Sequence, residues 1–174
     1  MKTLFDISGK TAIVTGGSSG IGAMIARGFV ENGVKTYISA RKEGPLHETA
    51  EELSKIGTCI PVQADLSTVE GIEKLVADVS AQEAHIDILL NNAGANWVVP
   101  LDDFPEAGWD KVMSINIKSI FFMTQKALPL LRGNATPEDP ARVIITASIH
   151  GFVYPGMPAY AYSASKSGVI HLTN

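Results

Sequence analysis

Five short runs of apolar, mostly β-branched residues recur along the chain, at 11–15, 34–40, 59–62, 86–90 and 142–146. They are continuous rather than alternating, so both faces of each run must be covered, as in the strands of a buried parallel sheet. Parallel neighbours require long crossovers, and the segments between the runs have helical spacing. Ile21, Met24, Ile25 and Phe29 form one such stripe, closed by Asn32-Gly33. A second helix is predicted over 46–56 with Gly57 as its cap. Ser67-Thr68-Val69-Glu70 has the spacing of a capping box and opens a third, carrying Ile72, Leu75, Val76 and Val79. A long helix is predicted over 108–128, ending before Pro129, and a last one from about Ala159. The expected fold class is α/β, a doubly wound, Rossmann-like parallel sheet of five strands in one nucleotide-binding domain over 1–174. Ligands of such sheets bind beyond the carboxyl ends of the strands.

The residues at those ends carry the chemistry. Gly16-Gly17-Ser18-Ser19-Gly20-Ile21-Gly22 joins the first strand to the first helix. Glycines let the backbone turn tightly and approach a ligand, and the helix start offers free N–H groups to a pyrophosphate. The spacing is Gly-x-x-x-Gly-x-Gly, not the Gly-x-Gly-x-x-Gly of the common dinucleotide fingerprint. The second strand ends Ser39-Ala40-Arg41-Lys42, with no carboxylate before Glu43. An acidic residue there would hold ribose hydroxyls, whereas Arg41 suits a 2'-phosphate, so NADP(H) is expected over NAD(H). Tyr162 and Lys166 are four apart and share one helix face. A cation one turn from a phenol favours the phenolate, which suits a proton donor or acceptor.

Composition narrows the partners. The chain has 174 residues, is 45% hydrophobic and carries a net charge of −4. With 14 Lys and Arg and no basic stripe, nothing points to nucleic acid or an anionic membrane. No apolar run is long enough to span a bilayer, the first ten residues do not read as a secretory signal, and the cytosol is the expected location. The single cysteine, Cys59, excludes an internal disulfide and is expected to be a buried thiol. His47, His85 and His171 show no metal-binding spacing, so no metal is expected. His150 is read either as pocket lining or as a residue at the surface or supporting the site from behind. Trp97, Val98 and Val99 are read either as substrate contacts or as packing. Met24, Met113 and Met123 are expected in the core.

Taken in order, TGGSSGIG, Asn91-Asn92-Ala93-Gly94, Asn116, Ser148 and Tyr162-Ser163-Ala164-Ser165-Lys166 resemble the short-chain dehydrogenase/reductase family. The stretches GWDKVMSINIKSIFFMTQKALPLLR and PARVI are most similar to its 3-oxoacyl-[acyl-carrier-protein] reductase branch, of the type associated with rhamnolipid biosynthesis. The resemblance implies an oxidoreductase acting on a small carbonyl or secondary alcohol, with Asn116, Ser148, Tyr162 and Lys166 as catalytic residues. Ser148 would bond the substrate oxygen, and Asn116 would hold a water in a proton relay to Lys166. The cofactor set implied is Gly16, Ser18, Ser19, Gly20, Ile21, Gly22, Arg41, Asp65, Leu66, Asn92, Ala93, Gly94, Tyr162 and Lys166. A 3-oxoacyl thioester is the substrate class favoured; a sugar alcohol or a steroid would satisfy the same chemistry. Dimers or tetramers are implied. Family members continue past the equivalent of Asn174 with two more strands, a Pro-Gly segment and a lid, so the domain is expected to be incomplete and the fifth strand to lie on an apolar edge. A catalytically inactive nucleotide-binding fragment is the alternative expectation.

Overall fold

The computed structural model describes residues 5–153 and 156–173. Strands β1 (Thr11–Thr15), β2 (Lys35–Ala40), β3 (Cys59–Gln63), β4 (Ile88–Asn91) and β5 (Arg142–Ile145) form one parallel sheet in the order β3-β2-β1-β4-β5. Helices α1 (Gly20–Glu31), α2 (Glu43–Ser54), α3 (Val69–Ser80), α4 (Glu106–Met113), α5 (Ser119–Arg132) and α6 (Tyr160–Leu172) surround it. The expected fold class is the one observed.

Adjacent residues in each strand point to opposite faces, and both faces are apolar. Ile13, Tyr37 and Leu89 pack on one side with Ile72, Leu75 and Val79 of α3 and Met123 and Ala127 of α5. Val14, Ile38 and Leu90 pack on the other with Ala26 and Val30 of α1 and Leu46, Ala50 and Leu53 of α2. The chain winds outward from β1 through β2 to β3, then returns to β4 on the other side of β1. The crevice where this direction reverses opens at the carboxyl ends of β1 and β4, the usual ligand position in such sheets. Cys59 is buried, and burial pushes its thiol up to about 11, well above the range of a reactive cysteine at neutral pH. No helix among the described residues is long and apolar enough to cross a membrane.

Several local expectations are corrected. The inner face of α1 is Gly22, Ala26 and Val30, while Ile21 and Met24 are 61% and 72% exposed. Only small side chains let α1 lie close to the sheet, which leaves Ile21 and Met24 outside, while Ile25 and Phe29 pack against the core from the flank. Met123 is in the core and Met24 is not. The cap of α3 is Thr68, whose Oγ1 accepts from the Gly71 N–H at 3.0 Å; Ser67 bonds Asp65 instead. Gly57 does not take the left-handed conformation of a helix cap; a Cβ there would lie 2.9 Å from Val30 Cγ1. The long helix continues past Pro129 to Arg132. Pro129 and Gln125, whose carbonyl loses its N–H partner, are both exposed, so water can take the bond.

At the amino end of the sheet Lys10 Nζ bonds Asp139 at 2.9 Å and Asp87 at 3.4 Å, and Asp87 also accepts the Thr11 N–H at 2.8 Å. The clamp pins the 133–141 loop to β1. The hydrogen bond from Lys10 holds the Asp139 carboxyl below its ordinary value, and the bond to Asp139 raises Lys10. The Asp139 contribution is therefore complete above the unfolded value of about 3.9 and is lost as pH falls through the lowered one. Lys10 contributes fully below about 10.4 and loses its share only as pH rises through its raised value. Amide protection in the 133–141 loop, measured by exchange mass spectrometry relative to the unstructured-chain rate at the same pH, is expected to fall below about pH 4, and at neutral pH in Lys10→Met.

Candidate active site

The glycine loop leaves β1 at Thr15 and enters α1 at Gly20. Gly16 has φ +67°, in the left-handed region, and a Cβ there would lie 3.0 Å from Ala93 Cα. Gly22 has no room at all: its Cβ would meet Gly16 O at 2.2 Å and Asn92 Nδ2 at 2.5 Å. Ser19 precedes the helix without a side-chain capping bond, so no side chain from that position covers the first N–H groups of α1. Ser18 O accepts from Thr49 Oγ1 at 3.0 Å, which ties the loop to α2. The Ile21 side chain points outward, so its part in any ligand contact is made at the exposed rim.

Beyond the loop lies a cleft of about 450 Å³. Of the residues expected to bind a cofactor, Gly16, Arg41, Asp65, Leu66, Ala93 and Gly94 line it. Asp65 accepts from Ser67 Oγ at 2.7 Å and Ser67 N at 3.0 Å. Those bonds, with a smaller effect of the Arg41 charge, hold its carboxyl below the ordinary range. The opposite wall brings Asp110, Lys111, Ser114 and Ile115, none of which the sequence singled out. The Lys111 ammonium also stands 5.3 Å from the Trp97 ring centroid. Trp97 packs so tightly on Gly108 that a Cβ there would lie 2.8 Å from the indole, so packing is what this tryptophan does here. Ser39, also in the cleft wall, is fully buried, and its hydroxyl has no partner among the described residues. A groove of about 500 Å³ runs along α5, β5 and the end of α6 and contains no residue expected in the site. Beside it Val143 and Ile144 are 41% and 43% exposed, so β5 does form an apolar edge.

The carboxyl ends are tied together by side chains. Thr15 Oγ1 accepts from the N–H groups of Asn92 and Ala93 at 2.9 and 3.1 Å and lies 3.3 Å from Leu90 O. Asn92 turns its amide inward: Nδ2 donates to Thr15 O at 3.2 Å and Oδ1 accepts from Thr146 Oγ1 at 3.3 Å. Its side chain is thus a strut between β1, β4 and β5.

Lys166 is 3% exposed on α6, and its Nζ donates to Thr146 O at 2.6 Å, just past β5. Burial lowers its pKa. The same ammonium stands 5.7 Å from the Tyr162 ring centroid, as their spacing on one helix face requires. Ser148 follows Thr146 by two residues and caps a short 3₁₀ turn, Ile149–Gly151. Asn116 lies in a π-helical turn, Ser114–Lys118, between α4 and α5, a widening often found at functional sites. Both hydrogens of its buried amide are used: Oδ1 accepts from Ala95 N at 2.8 Å, and Nδ2 donates to Ala95 O at 2.9 Å and Ser165 Oγ at 3.0 Å. Ser165 in turn donates to Tyr162 O at 2.7 Å. The bracing roles of Thr15, Thr146 and Ser165 were missed because a hydroxyl or carbonyl that holds a neighbouring segment leaves no pattern in spacing. Thr15 and Ser165 had a cue, one heading TGGSSGIG and the other lying inside the Tyr162-x-x-x-Lys166 interval.

The sequence model of the short chain dehydrogenase family matches residues 10–174. The chain belongs to that family. It is 43% identical over 173 residues to the rhamnolipids biosynthesis 3-oxoacyl-[acyl-carrier-protein] reductase of Pseudomonas aeruginosa, covering 99% of this chain and 68% of that protein. It is 37% identical to the 2-dehydro-3-deoxy-D-gluconate 5-dehydrogenase of Escherichia coli, over 97% of this chain and 65% of the relative. Among solved structures, the Pseudomonas aeruginosa RhlG/NADP active-site complex superposes with a TM-score of 0.94 at 44% identity, covering 97% of this chain and 66% of that one. The chain thus spans about two thirds of the length of these relatives.

Thr15→Val keeps the shape of the side chain and removes the acceptor of two N–H groups. The expected loss is about 1–3 kcal/mol in urea unfolding, the penalty for stranded buried donors; a midpoint equal to wild type would show that the strand ends are not held by this hydroxyl.

Proposed function

We propose that this chain supplies the cofactor-binding and catalytic residues of an NADP(H)-dependent oxidoreductase that interconverts a carbonyl and a secondary alcohol. The observation that carries the reading is Lys166, a buried cation beneath the Tyr162 ring and bonded to the strand end from which Ser148 follows. Such a charge is costly to bury without a task or a full set of partners. One of its three hydrogens is bonded to Thr146 O, and the others are available to a ribose hydroxyl and to the phenol.

The residues present suit a dinucleotide. The uncapped start of α1 and Gly16 offer backbone to the pyrophosphate, with Ser18, Ser19, Gly20, Ile21 and Gly22 shaping that approach. Asp65 and Leu66 take the adenine side, and Ala93 and Gly94 the floor, with Asn92 holding it in place. Arg41 lines the cleft at the end of β2, where a 2'-phosphate would be recognised, which favours NADP(H) over NAD(H). The nicotinamide cofactor, when bound, donates or accepts the hydride.

In reduction Tyr162 gives its hydroxyl proton to the substrate oxygen while Lys166 places positive charge beside the phenolate that forms. Ser148 donates a hydrogen bond to the same oxygen as its negative charge develops. Both side-chain amide hydrogens of Asn116 are taken, so a relay water near Lys166 would donate to one of its oxygens. A 3-oxoacyl thioester is the substrate class favoured, on the strength of the similarity to the Pseudomonas reductase. The reading includes one nucleotide-binding domain over 1–174, a cytosolic location and a homo-oligomer, dimer or tetramer.

Tyr162→Phe is expected to lower turnover of a 3-oxoacyl thioester by about 10²–10⁴-fold, the usual contribution of a positioned acid, while NADPH still binds; undiminished turnover would remove Tyr162 from the mechanism. Arg41→Ala is expected to weaken NADPH binding by about tenfold or more, as for a lost charge-assisted bond, and to leave NADH binding unchanged. Tighter binding of NADH than NADPH by the unaltered chain, in a fluorescence titration, would overturn the assignment of Arg41.

A further inference from the structure

The turn that follows Ser148 is held firmly on α6. His150 N donates to Ser148 Oγ at 3.3 Å, and Gly151 N to Ser148 O at 3.0 Å. Gly151 lies directly on the helix: a Cβ there would be 2.8 Å from Lys166 O and 2.6 Å from Ile170 Cδ1. Ser167 Oγ donates to Gly151 O at 2.7 Å and closes the clamp. The turn therefore sits at a fixed height on the part of α6 that carries Lys166.

This sets the His150 ring against Tyr162. The ring centroids are 5.2 Å apart and the planes cross at 87°, an edge-to-face pair. Lys166 Nζ, 5.7 Å from the same phenol ring, is its other neighbour of defined geometry. His150 Nδ1 is shut off from solvent and has no hydrogen-bond partner among the described residues. A buried nitrogen without a partner is unfavourable, so this atom does not explain why the ring is there. What the ring supplies is a wall. A phenol that must deliver a proton across a single hydrogen bond tolerates little tilt, because a misplacement of about 1 Å can lower a rate by about 10²-fold.

We propose that His150 is a positioning residue for Tyr162, its ring held by the clamped 149–151 turn so that the phenol keeps one orientation toward the substrate. The proposal rests on the reading of Tyr162 as the proton donor, and the experiment separates the two. His150→Ala and His150→Gln remove the ring, and Gln retains a polar end; His150→Phe retains the ring and removes both nitrogens. In NADPH-dependent reduction of a 3-oxoacyl thioester, Ala and Gln are expected to lower kcat by about 10- to 100-fold with KM little changed, in line with lost alignment. Phe is expected to recover most of that loss. In parallel, the chain is labelled with 3-fluorotyrosine, and the ¹⁹F line missing from Tyr162→Phe is assigned to Tyr162. That line is expected to move toward the free amino-acid position in Ala and Gln and to stay near the wild-type position in Phe. Absence of turnover in the wild type would count against the parent reading alone, and the ¹⁹F lines would then decide the role of His150. An unchanged Tyr162 line in both Ala and Gln, or rescue by Gln and not by Phe, would overturn the proposal. Urea midpoints and NADPH affinity, expected to be alike in all folded variants, separate loss of alignment from loss of structure.

Discussion

A few hydrogen bonds across the carboxyl ends of β1, β4 and β5 hold everything else in place. Thr15 accepts two backbone N–H groups from the segment after β4, and Asn92 reaches back to β1 and across to Thr146. Thr146 in turn receives Lys166. The floor of the cleft and the seat of Lys166 are thereby one connected object. The parallel sheet beneath brings these three ends level, since its register aligns Val14 with Leu90 and Asn91 with Ile145. Each loop then leaves the sheet on the same side.

The second support is the contact between the π-helical turn and α6. Asn116 joins the loop after β4, through Ala95, to Ser165 on α6. Ser165 passes that fixation to the Tyr162 carbonyl. The backbone of Tyr162 is thus located through Asn116, and its ring lies between Lys166 and His150. Backbone and ring are held by different groups, so losing one restraint leaves the other intact.

Much of this was legible in the sequence because it rests on periodicity and on steric necessity. Continuous apolar runs revealed all five strands, and the glycines at 16 and 22 sit where no side chain fits. The register of Tyr162 and Lys166 followed from helical geometry alone. The misreadings on α1 share one cause: hydrophobicity was taken as a sign of burial. Ile21 and Met24 are apolar but exposed, because α1 approaches the sheet through glycine and alanine. Pro129 was taken as a stop, yet an exposed turn lets water replace the missing bond. The cleft wall formed by Asp110, Lys111, Ser114 and Ile115 was invisible, since it depends on how α4 is placed over the crevice and not on any spacing along the chain.

The bond from Asn92 to Thr15 spans 77 residues of sequence. No local segment can form it, and the entropy of closing so long a loop must be met before the contact gives anything back. The cleft floor therefore exists only when β4 is docked beside β1. Partly folded chains possess the glycine loop but not the site. Anything that occupies the cleft binds the closed sheet in preference to them and, by mass action, raises its population. In this fold the ligand and the pairing of β1 with β4 draw on the same equilibrium.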